Sequence, residues 1–525
     1  MARPITPGDL WRMHRVGQPV PLPDGSAAVV PVSTHDIEAN TATTHLHLVA
    51  DDGATKPLTR GPHTAQFPAL SHDGGRLAFA RKTEDDGSPQ VHVLDLGGGE
   101  ASPVSDFPLG AGPALWLPDG SGLVVAVPLL RGFPDTEATR QEAARREEDP
   151  VRAVVTEDRV YRYWKRWLAD GRVHHLFHIY LESGSATDLT PDWDRLLATE
   201  PEPEGGFDIS PDGSTVAVSC DVAPAPHDRF QFAVHLVSLT GGEIRRATPD
   251  ALPAQQRRPR FSPDGTTLLY GVQHEQDFYA DPIRLTSLDV ASGEETALTP
   301  TWDRSAGGWE FADDGRIVLH AEDEGRLRMF TLGPQASDPA PVVGEGSWHG
   351  PRPAGGVVWC RHESSSRPPE VGVVAGGTPR LVGSFNDALL ADLDLGKTAD
   401  MTVTDSDGAP LHVGIVYPPG FSPDRPWPLV HNVHGGPHGL VSDTWHWRWN
   451  TQVFAAAGRV VASVNFHGST SWGDDFTRSI RGAWGDKPTR DVLAATDHLA
   501  GLGFVDEDKM AIAGGSYGGY LVTWL

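Results

Sequence analysis

Gly514-Gly515-Ser516-Tyr517-Gly518 fits Gly-x-Ser-x-Gly, the spacing that lifts a serine hydroxyl to the top of a sharp turn between a strand and a helix. Side chains at Gly514, Gly515 and Gly518 would hold that strand and helix apart, so glycine suits these positions. The run before the turn, "KMAIA", reads as a strand, and the run after it, "YLVTWL", as a helix. A second group, His434-Gly435-Gly436-Pro437, follows the apolar stretch "WPLVHNV", which is expected to lie beside the serine's strand. Acyl transfer needs backbone N–H groups aimed at the oxygen that gains negative charge, and glycine lets the main chain come that close. The spacing therefore predicts Ser516 as nucleophile, with Gly436 and Tyr517 donating to the oxyanion. A serine also needs a histidine base and a carboxylate to orient it. None of the 23 histidines follows Ser516, and the chain ends inside the helix after the turn. The expectation is a C-terminally truncated chain that lacks the Asp and His of a triad and has almost no activity as written.

Other reactive residue types read as structural. His434 and His438 are four apart, but the intervening Gly-Gly-Pro cannot hold a helix, so the spacing does not make a metal pair. His174, His175 and His178 fall on an expected strand with no carboxylate cluster. The glycines of "GGGE" at 97–100 form a hairpin turn and not a phosphate loop, since no helix follows. Glu147 and Glu148 could grip a cationic peptide terminus, but a solvated helix face explains them. Two cysteines, Cys220 and Cys360, are too few for a disulfide framework or a zinc site and are expected to be buried free thiols. No metal and no cofactor is expected.

The elements that must position Ser516 come in two blocks. An Asp-Gly turn followed by a short β-rich run recurs at Asp24, Asp73, Asp119, Asp212, Asp264 and Asp314, with a weaker seventh copy at Gly355. The period is about 40–50 residues, with one step of double length, and each unit holds room for four strands, which is β-propeller spacing. Seven copies predict seven blades over 19–385. The double step is assigned to an insertion near 131–170, a charged helix followed by a basic-aromatic strand. Residues 1–18 read as an N-terminal helical segment. From 386 to 525 the pattern changes to an edge hairpin, then strands alternating with helices, including a helix over "TWHWRWNTQVFAAAG" and another over "TRDVLAATDHLAGLGF". Nearly continuous apolar strands in such a run imply a parallel sheet covered on both faces.

A formal charge of −27 argues against nucleic acid, whose phosphates would be repelled. The N-terminus has no apolar export segment and no window approaches a membrane span, so a cytoplasmic chain with no membrane partner is expected. A homo-oligomer is left open.

The sequence resembles the prolyl oligopeptidase family of serine peptidases, in particular its acylaminoacyl-peptidase and dipeptidyl-peptidase-like bacterial members. The residues that carry this are "HGGPHG", "FAAAG", "NFHGSTSWG", "WGDKPTRDVLAATDHL" and "GGSYGGYLVTW", with "SPDG" blades upstream. The resemblance implies a seven-bladed propeller followed by an α/β-hydrolase domain, here expected to hold only the first half of its parallel sheet. It also implies hydrolysis of short peptides through an acyl-enzyme on Ser516, with the propeller as size filter. Where the family has Asn-x-Arg-Gly-Ser this chain has Asn465-Phe466-His467-Gly468-Ser469, which removes a fork of donors that imidazole cannot reproduce. Two other readings are open: an esterase or amidase on the same fold, and a non-enzymatic binding propeller with a hydrolase remnant.

Overall fold

A computed structural model describes residues 2–525 except 84–86, 152, 158–159, 164–165, 198–205, 228, 241–242, 250–254, 334–337, 343–345 and 406. Seven antiparallel sheets follow one another along the chain and form a seven-bladed β-propeller. The second blade shows the pattern: Ala65–Leu70, Arg76–Arg81, Gln90–Asp95 and Ser102–Pro103 pair in sequence order. Each recurrent Asp-Gly turn joins the first and second strand of a blade. In the fifth blade Ser262 Oγ donates to Asp264 Oδ1 at 2.6 Å, and the same carboxylate oxygen accepts the Thr266 N–H at 3.1 Å. Ser262 Oγ in turn accepts the Thr267 N–H at 3.0 Å. The Ser-Pro-Asp-Gly repeat is thus a self-satisfied turn, because serine and aspartate occupy backbone donors that the tight reversal leaves unpaired. The cores lie between neighbouring blades, as where Ala78 and Val91 of the second pack with Leu123, Val125 and Phe177 of the third. The ring closes where Trp359 of the seventh blade donates its indole N–H to the Gly25 carbonyl of the first at 3.1 Å.

The double step in the repeat is an insertion within the third blade, between the paired strands Gly122–Leu130 and Arg172–Tyr180. It holds a helix, Thr136–Glu148, capped by Asp135, whose Oδ1 accepts the Ala138 N–H at 2.7 Å. Glu147 and Glu148 lie in its last turn. The expected basic-aromatic strand is instead a short hairpin of Arg162–Tyr163 and Arg166–Trp167, with residues 158–159 and 164–165 outside the described set. His174, His175 and His178 sit on a strand as read, although His175 bonds Asp188 at 2.8 Å. Cys220 and Cys360 are buried free thiols in different blades.

The second unit is built on a five-stranded sheet with spatial order Thr398–Thr404, Pro410–Val416, Val460–Asn465, Trp427–Val433, Val505–Gly514. The last three are parallel, as the alternating run implied, and the hairpin lies at the edge as read, joining antiparallel, so the sheet as a whole is mixed. The strand before the serine is also more open than its apolar reading implied: Met510 is 41% exposed, because that strand pairs on one side only. The helix Asp486–Ala500 buries Val492, Ala495 and Leu499, one face at helical spacing. The helix expected over "TWHWRWNTQVFAAAG" is confined to Thr451–Ala456, capped by Asn450. The aromatic run before it stays irregular because its tryptophans are used in packing: Trp445 joins Ile5, Leu10, Met13 and Leu393 in a core with the N-terminal segment. That segment contributes a short helix, Pro7–Arg12, and a strand, Arg3–Pro4, parallel to Leu393–Asp394. Among the described residues no helix is long and apolar enough to cross a membrane.

A buried carboxylate ties the segments together. Glu370 Oε1 accepts the Asn386 N–H at 2.9 Å, and Asn386 bonds both the N–H and the carbonyl of His14. Burial pushes the Glu370 carboxyl up to about 7, because its other oxygen has no hydrogen-bond partner among the described residues. Between the ordinary carboxyl range and pH 7 the folded chain keeps a proton that the unfolded chain has lost, so stability falls as pH rises through that window. Glu370→Gln should flatten the dependence and add up to about 3 kcal/mol above pH 7. Thermal midpoints of the two proteins at pH 5 and pH 8 check it; equal slopes would count against it.

Candidate active site

The strand Val505–Gly514 ends at the turn, and Ser516 adopts φ 57°, ψ −124° before the helix Tyr517–Trp524 begins. A non-glycine residue held at positive φ is strained and persists only where its surroundings dictate it. Here they do. A Cβ at Gly518 would stand 2.2 Å from the Val433 carbonyl oxygen, and one at Gly514 would stand 2.6 Å from the Gly518 carbonyl carbon. The helix therefore starts in backbone contact with its own strand and with the neighbouring strand, and the serine is pushed outward.

The neighbouring strand, Trp427–Val433, runs parallel to the serine's strand with Val433 opposite Gly514. Its continuation places Gly435 against the serine: a Cβ there would lie 3.4 Å from Ser516 Cβ and 4.0 Å from Oγ. Gly436 follows at φ 126°. Gly435, Gly436, Ser516 and Tyr517, far apart in sequence, are thus brought to one place. The Tyr517 side chain is buried, donates its hydroxyl to the Trp484 carbonyl at 2.6 Å, and has its acidity suppressed by that burial.

The histidines near this turn are occupied elsewhere. His434 stacks on Phe466 with ring centres 4.1 Å apart. Its Nδ1–H donates to the Gly435 carbonyl at 2.8 Å, which leaves Nε2 to accept from the Ser469 hydroxyl at 2.9 Å. Enclosure by neighbouring groups lowers its pKa to about 4, so the ring is neutral. His438 bonds the Gly468 carbonyl at 2.9 Å. The two rings have different partners, in keeping with a structural role for each. Among the described residues no histidine or carboxylate hydrogen-bonds the Ser516 hydroxyl.

A cavity of about 780 Å³ opens at Ser516 and Gly435 and runs over Asn432 and Ser463 to Asp400 and Arg326, the last from the sixth blade. Trp449 lies against Gly515, where a Cβ would meet its ring at 2.8 Å. The serine thus faces a chamber walled by both units. Polar contacts clamp the two together beside it: Arg478 bonds Glu275 at 2.5 Å and also Asp281, and stacks over Phe278. The Tyr279 hydroxyl of the same blade accepts the His438 N–H at 3.2 Å. Arg478→Met should therefore make the junction more open to protease, and added salt should narrow the gap between variant and wild type by screening the ion pairs. Limited proteolysis at two ionic strengths checks this.

Sequence reasoning missed Phe466 as the shelf beneath His434, Trp449 against the turn, and the meeting of His467 with Asp405 and Asp491. Only the departure at His467 was a signal, since the other contacts arise between segments whose adjacency the fold creates.

Known proteins share this architecture. The model of the prolyl oligopeptidase family matches residues 445–525. Dipeptidyl-peptidase 5 of Aspergillus fumigatus is 25% identical over 99% of this chain and 76% of its own length, and dipeptidyl-peptidase 5 of Porphyromonas gingivalis is 26% identical with the same coverage. The acylaminoacyl peptidase of Pyrococcus horikoshii has the same fold, with a TM-score of 0.80 over 99% of this chain and 76% of that one, at 18% identity.

Proposed function

This chain belongs to the prolyl oligopeptidase family of serine peptidases, and from that premise we propose that it hydrolyses short peptides through an acyl-enzyme on Ser516. The observation that carries the reading is the strained Ser516 held against Gly435 at the mouth of a chamber shared by both units. Ser516 Oγ attacks the scissile carbonyl carbon, and the oxygen that gains charge turns toward the N–H groups of Gly436 and Tyr517. The hydroxyl proton passes to a base and then to the leaving amine, and water releases the acyl group. Among the described residues no base hydrogen-bonds Ser516, so near inactivity unaided is expected of residues 1–525. A chamber of about 780 Å³ with Arg326 and Ser365 of the propeller in its wall suits a short peptide better than a folded domain, which supports a filtering role for the propeller. Relatives named dipeptidyl-peptidase and a fold shared with an acylaminoacyl peptidase leave two substrate classes, free and acylated N-termini.

Activated esters of a dipeptide, of an N-acetylated amino acid and of plain acetate, offered in imidazole buffer, separate the options. Preference for either peptide-like ester supports a peptidase and picks its class. Fastest cleavage of the acetate would replace it with the esterase reading.

A further inference from the structure

His467 stands just past the strand Val460–Asn465 with its ring set between two carboxylates from distant parts of the chain. Nδ1 lies 2.9 Å from Asp491 Oδ2, which also accepts the His467 backbone N–H at 2.7 Å. Nε2 faces Asp405 Oδ2 at 3.8 Å. Asp405 sits in the turn of the edge hairpin, where its Oδ1 accepts the N–H groups of Asp407 and Ala409 at 2.8 Å each. Asp491 comes from the helix Asp486–Ala500. Both carboxylate side chains are 2% exposed, and one donor atom from each of the three residues falls within 4.8 Å of the others.

A carboxylate can only accept, so the short contact to Asp491 puts a proton on Nδ1. That orients the ring with Nε2 toward the Asp405 oxygen, where the atom can ligate once it carries no proton. The separation of 3.8 Å is too long for a hydrogen bond. It matches two ligands on one first-row ion, since bonds of about 2.0–2.2 Å to nitrogen and oxygen put neighbouring donors about 3.4–4 Å apart. A carboxylate behind the ligating imidazole is the usual support for such a bond. Among the described residues no arginine or lysine pairs with Asp405 or Asp491; Arg490, the nearest in sequence, takes Asp407 at 3.1 Å. Two buried carboxylates are costly unless a cation stands between them.

We propose that His467 Nε2 and Asp405 Oδ2 ligate one divalent cation of the Zn²⁺ or Mn²⁺ type, with Asp491 orienting the ring and water filling the remaining positions. The ion clasps hairpin, loop and helix together, since Asp405, His467 and Asp491 come one from each. Phe466, next in the chain, carries the His434 ring and packs 5.6 Å from the Tyr517 ring, so the clasp steadies both segments that present oxyanion donors.

The test uses the full chain, stripped with chelator, loaded with ZnCl₂ or MnCl₂ and passed through gel filtration, then assayed for bound metal and thermal midpoint. Wild type should retain about one more ion per chain than His467→Arg or Asp405→Asn, and its midpoint should rise on loading. His467→Arg should fold with a midpoint near that of loaded wild type and ignore added metal, because its guanidinium supplies the charge. Equal metal content in wild type and both variants, or a wild-type midpoint indifferent to metal, would overturn the proposal. Neither readout depends on Ser516.

Discussion

Purified residues 1–525 should cleave a peptide anilide no faster than the ~10³–10⁴-fold over water that an oxyanion site and binding provide without a working triad, and free imidazole should change that. The physical reason lies in the neighbours of Ser516. His434 spends Nδ1 on the Gly435 carbonyl and Nε2 on Ser469, and is held neutral near a pKa of about 4. It cannot rotate toward the serine without losing its stack on Phe466. With no histidine bonded to Ser516 among the described residues, the hydroxyl keeps its proton at neutral pH. Imidazole diffusing into the 780 Å³ chamber can take that proton. The expected gain on an activated ester is up to about 10²-fold, the low end of what a positioned base contributes. Ser516→Ala should abolish the imidazole-dependent part and leave the residual rate unchanged. Unaided cleavage of anilides that disappears in Ser516→Ala would refute the expectation that the described residues give Ser516 no base. An imidazole response above the enzyme-free rate that survives in Ser516→Ala would refute the nucleophile.

Gly518→Ala should be among the most destructive single methyls in the chain's second unit. The added carbon would stand 2.2 Å from the Val433 carbonyl oxygen and 2.9 Å from that of His434. Both are backbone atoms in the strand and turn that flank the serine, so relief requires the helix to lift from the sheet. A cost of about 3 kcal/mol or more follows, and the thermal midpoint should fall by roughly 10 °C. Ser516 would lose its outward position as well, and the imidazole-dependent ester cleavage should disappear with it. Gly519→Ala is the control: its nearest neighbour, the Gly514 carbonyl oxygen, would be 3.5 Å away, an ordinary contact. That variant should keep both the midpoint and the cleavage. Comparable losses in the two would mean that the close approach at Gly518 is not what shapes the turn.

Much of this arrangement was legible in the chain because it rests on local chemistry. The Ser-Pro-Asp-Gly turns satisfy their own backbone donors within a few residues, as Ser262, Asp264 and Thr266 show, so each copy announces a strand pair wherever it occurs. Six Asp-Gly copies and a weaker seventh at Gly355 imply seven blades, and Gly-x-Ser-x-Gly implies the turn at Ser516, since its glycines answer a steric demand set by residues beside them. Less was legible where packing overrides propensity. The run 444–450 has the spacing of a helix, yet Trp445 is drawn out of it into a core with Ile5, Leu10 and Met13. The hairpin 398–416 was legible as an edge element, but not that its partner would be Val460–Asn465.

By itself the sequence determined the order of the parts, the nucleophile candidate and the two glycine-rich segments around it, because each depends on neighbours along the chain. Tertiary structure alone decided what those parts face. It set Gly435 against Ser516, engaged both nitrogens of His434, joined Arg326 of the propeller to the serine's chamber and gathered Asp405, His467 and Asp491 from three separate segments. Such juxtapositions follow from how sheets and loops pack across long separations in the chain, and a burial or a partner that arises there leaves no local periodicity to read.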